Sequence, residues 1–493
     1  MENFLFQKDP LWSGRWMRLW EQRQLLRKKR WWFRVSVFER CFGFFFSNSK
    51  GFCVDGKRHL SLHLSHQHFL IVGKTGSGKT ACSILPTLLN LEGQSMVVTD
   101  PGELYEKTSG YLAKQGVQVH LISLGDPRNS DTFNMMDFVQ TRTAIRKVVA
   151  LLIRSALPNT NGNDAFWNNL AEQILVPLWV ALVNQPDPKY RNLANLRTLL
   201  LEFGTDGKKI DLLIAQYADE ESHREYLAFI SQDQKVIQNA LSTAKAALNL
   251  FGDPAIARLT ATTSLDLRSL RKTPTVLYIK TPEAELEYYK FLIMVLYSEL
   301  FNMAMVEPEK KDLPITFLLE EFANCGVALL PEFVNVITTI RKKRCSIGMV
   351  VQDIQQMVNL LGAAKTTSIV EGGTASTLYL PKQSFETAQR LERIIGLTAR
   401  THVDHTGKVQ ESSRAVITAD EIMALPHNAA IFHHAGYRPA LLQLFPYYYS
   451  RKMRRRTRHE PVRIVNERYE ELLAFIPLES YEKPPVDTSE SEY

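Results

Sequence analysis

The chain has 493 residues, 45% of them hydrophobic and 23% charged. That is ordinary globular composition, with room for two or three domains, and it excludes a mainly disordered polymer. Five cysteines (Cys41, Cys53, Cys82, Cys325, Cys345) without a C-x-x-C pair exclude a disulfide framework and point to a reducing compartment. The net charge of +7 is uneven: ten Lys/Arg against four acids in residues 1–40, six cations in 451–458, and nine acids against three bases from Glu460 onward. Such blocks suit anionic partners, either nucleic acid or lipid head groups.

Residues 1–50 hold five of the seven tryptophans, Trp12, Trp16, Trp20, Trp31 and Trp32. Trp12, Trp16 and Trp20 recur every four residues, which on a helix puts them on one face. Basic residues around such a stripe fit an interfacial helix or one docked on a membrane partner; the plain alternative is a stripe packed on the core. No signal peptide and no apolar run long enough to span a bilayer is visible, so no transmembrane helix is expected. The stretch HLSLHLSHQHFL from His59 alternates apolar and polar residues, as a half-buried strand does, with His59 and His63 on the polar face. Its histidines lack the cysteine or carboxylate that would complete a metal site.

Residues 69–80, FLIVGKTGSGKT, form the most informative stretch. Phe69–Val72 reads as a buried strand. Gly73, Lys74, Thr75, Gly76, Ser77, Gly78, Lys79 and Thr80 fit G-x-x-x-x-G-K-[ST], and a helical pattern follows, the context a phosphate-binding loop requires. Glycines let backbone N–H groups curl around phosphates, and the helix start adds positive potential. Lys79 is placed to reach the β- and γ-phosphates and the Thr80 hydroxyl to hold Mg²⁺.

SMVVTDPGE (95–103) gives a second buried strand ending in Asp100, where a sheet beside a phosphate loop places its ligand chemistry. A third strand falls at 116–124 and a loop at 125–137. From about 140 to 265 helical periodicity dominates, with helices expected at Ala144–Arg154, Trp167–Leu182, Leu196–Phe203, Ile210–Tyr217, Glu221–Phe229 and Gln232–Leu250. Strands resume at 274–280, followed by a helix at Glu283–Met305.

PITFLLEEF (314–322) is a strand ending in two carboxylates, the acidic partner a phosphate loop needs. Glu320 is assigned to the metal and Glu321 to polarising the attacking water. A strand at Cys345–Val351 ends in Gln352, placed to sense the γ-phosphate or simply to bond a strand end. Arg341 before it is either an arginine finger for a neighbouring subunit or an ordinary surface or phosphate-contacting arginine. Strands at Ser376–Leu380 and Ala429–His433, a helix at Ser384–Ile395, the basic run 451–458 and an acidic, partly disordered tail complete the chain.

The ordered set of motifs resembles the conjugative coupling proteins of type IV secretion systems, the TraG/TraD family within the FtsK/HerA-like RecA-fold motor ATPases. The resemblance runs from about residue 60 to 447. It rests on HFLIVGKTGSGKT, MVVTDPGELYEKTSGYLAKQG, FNMMD, NDAFWNNLAEQIL, ITFLLEEFANCG, TTIRKKRCSIGMVVQDIQQM and TASTLYLPKQSFETAQRLERIIG, in the family's order. Two motifs depart: Glu320-Glu321 stands where the family usually has Asp-Glu, and Asp100-Pro101-Gly102-Glu103 lacks the residue usually between Pro and Gly. Many members also begin with two transmembrane helices, which this sequence does not show.

The resemblance implies an α/β fold: a RecA-like P-loop core (59–139 and 266–447) with a mainly parallel sheet, an inserted all-α domain (140–265), and basic N- and C-terminal extensions (1–58, a possible peripheral membrane anchor, and 448–493). It implies an ATPase using ATP and Mg²⁺, active as a homo-hexamer. Its partners would be single- or double-stranded DNA, relaxase and relaxosome proteins, and inner-membrane secretion components. Its place would be the cytoplasmic face of the bacterial inner membrane. A motor for protein cargo and a weakly catalytic docking platform are the alternatives on the same fold.

Overall fold

The computed structural model describes residues 15–25, 27–28, 50–156, 164–203, 207–403 and 409–480. Among them are the strands β1 (Arg27–Lys28), β2 (Lys50–Cys53), β3 (Arg58–Ser61), β4 (Phe69–Val72), β5 (Ser95–Asp100), β6 (Gln118–Ser123), β7 (Thr275–Lys280), β8 (Ile315–Leu319), β9 (Cys345–Val351), β10 (Ser376–Tyr379), β11 (Leu397–Val403), β12 (Val409–Ala415), β13 (Ala429–His434) and β14 (Ala440–Gln443). Nine form one sheet in the order β14-β13-β10-β4-β9-β8-β5-β7-β6. The ladders from β10 through β4, β9 and β8 to β5 are parallel, while β13 and β14 add antiparallel on one side. β4, β5, β8 and β9 are buried at every residue, because a parallel sheet covered on both faces takes continuous apolar runs. Parallel pairing also gathers the carboxyl ends of these strands along one edge.

The chain folds into two compact units: Met1–Val119, Arg268–Tyr278 and Phe301–Val462, and His120–Leu267, Ile279–Leu300 and Arg463–Tyr493. In the second, helices run at Arg142–Ala156, Asp164–Val183, Leu193–Phe203, Gly207–Tyr217, Glu220–Ile230 and Gln234–Ala247, within a few residues of the periodicity. Asp164–Val183 forms its centre. Ile174, Leu175, Leu178 and Trp179 are fully buried on it, and Trp179 Nε1 donates to the Val139 carbonyl at 3.2 Å. Asp219 and Asp233 cap two of the surrounding helices by accepting the Ser222 and Lys235 N–H groups. Residues 460–480, the start of the tail expected to be partly disordered, carry short 3₁₀ turns at Tyr469–Glu471 and Leu478–Ser480.

Two expectations from periodicity fail. The alternation from His59 holds only through β3; Ser61 then accepts the Leu64 N–H at 3.2 Å and caps a helical turn, Leu62–Ser65. His59 is buried rather than on a polar face, its Nδ1 3.2 Å from the Gly51 carbonyl. The cap wins because Ser side chains offer the backbone a local alternative to the ladder. Nor do Trp16 and Trp20 share a helix. The helix begins at Leu19 (Leu19–Leu25), after residues 15–18 that are tied down by two Arg15–Glu21 bonds of 2.9 and 3.0 Å and by Met17 N–H to the Pro439 carbonyl. Trp12, Trp31 and Trp32, with the membrane-anchor expectation, lie outside the described residues. No helix among the described residues is long and apolar enough to cross a membrane.

Candidate nucleotide site

Residues 73–80 leave β4 at the carboxyl edge of the parallel strands. Gly73 N–H donates to the Val351 carbonyl at 3.1 Å, continuing the ladder with β9 for one residue. A Cβ at Gly73 would stand 2.5 Å from Ser77 Oγ and 2.9 Å from Leu380 Cβ, so no larger residue fits. Gly76 and Gly78 hold φ of 73° and 95°, the left-handed region where glycine carries no steric penalty. Lys74 and Thr75 are exposed on the loop's outer rim, whereas Ser77 and Lys79 are buried. Lys79 Nζ donates to the Gly73 carbonyl at 2.9 Å, closing the loop across its mouth.

Thr80 opens a π-helical turn, Thr80–Ile84, before the chain continues as α-helix at Leu85–Leu88. Its hydroxyl donates to Glu320 Oε1 at 3.1 Å. Glu320 follows β8, which reaches this edge one strand beyond β9. Its second oxygen, Oε2, is buried with no hydrogen-bond partner, as is Ser77 Oγ. Burial above all pushes the Glu320 carboxyl up to about 8, with the negative charges of Asp100 and Glu321 adding to it; Thr80 and Lys79 pull the other way.

Glu321 sits at φ 52°, a bend that ends β8, and its Oε2 accepts from Gln352 Nε2 at 3.4 Å. The two residues assigned to water and γ-phosphate are thus in contact. Asp100 is fully buried at the end of β5; its Oδ1 accepts the N–H groups of Gly102 and Leu104 at 2.8 and 3.0 Å, and its Oδ2 that of Tyr105 at 2.7 Å. This fixes the turn into the helix Leu104–Lys114, and the Asp100 charge contributes to raising the Glu320 carboxyl. Arg341 stands apart. It is exposed in the 3₁₀ turn Ile340–Lys343, at the amino end of β9, so its own chain's loop lies at the far end of that strand.

Two residues were not assigned a role from sequence. Gln383, buried just past β10, donates through Nε2 to the carbonyl of Val72 at 3.0 Å and to that of Leu380, buttressing the strand end that carries the loop. The polar KQS after a strand was its only signal. His68, the residue before β4, sits at φ 64° and its Nδ1 accepts the Ile347 N–H at 2.9 Å. Burial holds it neutral, down to about 4.

The loop fits a phosphate chain with Mg²⁺. It offers exposed backbone on its rim, a buried lysine at its mouth, and a hydroxyl beside a carboxylate with one oxygen unused. Fold and site define a P-loop protein with a RecA-like α/β core. The chain belongs to the family described as type IV secretory system conjugative DNA transfer, whose model matches residues 16–471. Among its relatives are the VirD4 protein of Rhizobium radiobacter, 23% identical over 79% of this chain and 58% of that protein, and the conjugal transfer protein TraG of Escherichia coli, 24% identical over 76% and 64%. The chain therefore spans about three fifths of the length of these curated relatives. In fold it resembles the plasmid coupling protein TrwB, solved in complex with ADP and Mg²⁺, with a TM-score of 0.58, 16% identity, and coverage of 84% of this chain and 92% of that one.

Proposed function

We propose that the chain is an ATP-driven coupling protein that recruits a relaxase–DNA complex to a type IV secretion channel and translocates DNA during conjugative transfer. The observation that carries the nucleotide part is the Thr80–Glu320 bond with the buried Glu320 Oε2 unused, next to the Lys79-closed loop. Bound Mg²⁺ supplies positive charge at the phosphate oxygens and favours the ionised Glu320. Lys79 exchanges the Gly73 carbonyl for phosphate oxygens, and the 73–80 backbone cradles the chain of phosphates. Thr80 and Glu320 hold the metal, Glu321 orients the attacking water, and Gln352, already in contact with Glu321, reports γ-phosphate occupancy. Arg341, remote from its own loop, serves a neighbouring subunit of a homo-hexamer. The likeness in fold to TrwB, solved in complex with ADP and Mg²⁺, supports a nucleotide with Mg²⁺ at this site.

DNA is held through its phosphates, so binding is salt-sensitive and weakly sequence-dependent. The protein works at the cytoplasmic face of the inner membrane with relaxosome proteins and secretion components. The deciding experiment is ATP hydrolysis with and without single- and double-stranded DNA, alongside oligomer mass. Stimulated turnover by a ring is expected. Turnover that DNA leaves unchanged at low salt replaces DNA by protein cargo, and rings without turnover leave a docking platform.

A further inference from the structure

Residues 463–480 are held on the second unit by contacts that read backbone more than side chains. Asn195, on the helix Leu193–Phe203, is fully buried. Its Nδ2 donates to the Ala474 carbonyl at 2.9 Å, and its Oδ1 accepts the Ile476 N–H at 3.0 Å. One side-chain amide thus pairs with two alternate residues of the segment, as a neighbouring strand would. Nδ2 also donates to the Tyr190 carbonyl at 3.0 Å, so the amide is oriented by its own unit whether or not a segment is present.

Further along the groove two arginines act together. The guanidinium carbons of Arg128 and Arg258 lie 5.1 and 5.2 Å from the Tyr469 ring centroid. Their Nη2 groups meet the two carboxylate oxygens of Glu470 at 2.8 and 2.9 Å. Arg258 Nε is buried and has no partner, a donor that the resident segment does not use.

Besides these contacts the resident segment is held by the Asn466 N–H, which donates to the Arg128 carbonyl at 3.1 Å, and by three buried side chains. Tyr469, Ile476 and Leu478 are buried, whereas Val465, Phe475 and the Glu470 side chain are 61%, 57% and 63% exposed. Exposed ion pairs of this kind contribute little. Release of 463–480 would leave the chain attached at Val462, whose carbonyl accepts from the Tyr105 hydroxyl at 2.6 Å in the first unit.

We propose that the groove formed by Asn195, Arg128 and Arg258 is a peptide-binding site, filled in cis by residues 463–480 and opened to a partner protein's extended segment. The ligand it selects carries an aromatic–acidic pair that fits the two arginines, followed by an aliphatic residue whose backbone the Asn195 amide takes. The tethered resident competes at high effective concentration, so the partner binds only where the resident's anchors are weakened or its own are better.

The test uses the full chain and a fluorescent peptide of sequence RIVNERYEELLAFIPLES, followed by anisotropy. The Tyr469→Ala/Ile476→Ala variant, which loosens the resident and leaves the groove intact, should bind the peptide at least about tenfold tighter than the unaltered chain. Adding Asn195→Ala to that variant should remove the gain. A folded double variant that does not bind the peptide, or one that binds it equally well without Asn195, overturns the proposal. Should the double variant fail to fold, hydrogen exchange in the unaltered chain decides. An Ile476 N–H that exchanges by local opening, well ahead of the Val97 N–H in buried β5, supports a releasable segment. An Ile476 N–H as slow as Val97 makes the segment a fixed strap and overturns the proposal.

Discussion

Arg271 and Glu320, at opposite ends of the parallel sheet, are buried in opposite ways. At the amino ends Arg271 is buried, yet its Nη1 donates to the Leu313 carbonyl at 3.1 Å and its Nη2 to the carbonyls of Ala304 and Lys343, each at 2.9 Å. It ties together the segments that enter β8 and β9. At the carboxyl ends Glu320 is as deeply buried, but one oxygen has no partner and its carboxyl is pushed up to about 8. Satisfied burial stabilises a structure; unsatisfied burial costs stability and marks a place where a ligand completes the coordination. The contrast separates a charge tied into the structure from one left open to a ligand.

Substitutions at the two ends should therefore fail in different assays. The largest effect is expected from Lys79→Ala. ATP turnover should fall by at least about 100-fold, about 3 kcal/mol of transition-state stabilisation, while the melting temperature stays within a few degrees. Turnover that survives removes the loop from the chemistry. Arg271→Met should do the reverse. Losing its charge leaves one buried and two part-buried carbonyls short of donors, at a cost of about 3 kcal/mol in unfolding free energy, with nucleotide affinity intact in the protein that remains folded. A melting temperature unchanged by Arg271→Met would break the contrast. Glu320→Gln comes next. Mg²⁺-dependent nucleotide affinity should drop about 10- to 100-fold, while denaturant midpoints at neutral pH move little, because the amide replaces a carboxyl that burial already keeps largely protonated. A Glu320→Gln protein that binds Mg·ATP normally would move the metal elsewhere.

How much of this was legible in the sequence follows from which physical signals are local. The strands β4, β5, β8 and β9 could be read because burial on both faces demands unbroken apolar runs, and Glu320 and Gln352 because each follows such a run. The helices of the second unit followed from period 3.6. The signal ended where pairing depends on a distant partner. β14 is four residues whose place beside β13 no local pattern announces, and the ribbon β11–β12 has a polar, unpatterned sequence. Asp100 was read as a ligand residue from its position at a strand end. Its three N–H partners come from the turn that follows, and a sequence does not show which way that turn folds. The segment 463–480 was read as a tail because acidic, proline-containing stretches are usually solvated. The Asn195 amide that holds it lies 279 residues from Ala474.

His68 gives the smallest effect: it is a buried titratable group at the amino end with a structural task on Nδ1, while its Nε2, like Glu320 Oε2, has no partner. Its Nδ1 accepts the Ile347 N–H, replacing the carbonyl a regular strand would offer, and its φ of 64° is the bend that brings the ring into place. His68→Ala should cost about 2 kcal/mol, from an unpaired N–H and a left-handed backbone that alanine tolerates poorly. His68→Asn should cost about 1 kcal/mol or less, since Asn adopts that backbone readily and offers an amide oxygen at a similar reach. The pH dependence has a definite sign. Burial lowers the folded-state value from 6.5 to about 4, so the unfolded chain takes up a proton that the native chain refuses across that window. The contribution of neutral His68 is complete above pH 6.5 and is lost as pH falls towards 4, to an upper bound of about 3 kcal/mol. His434, buried and likewise lowered to about 4, adds an acid limb of the same sign. Unfolding midpoints measured from pH 7 to pH 4.5 should thus fall less steeply for His68→Asn than for the unaltered chain. Parallel curves would mean that His68 is protonated in the native protein and that its bond to Ile347 is not the one holding β4 against β9.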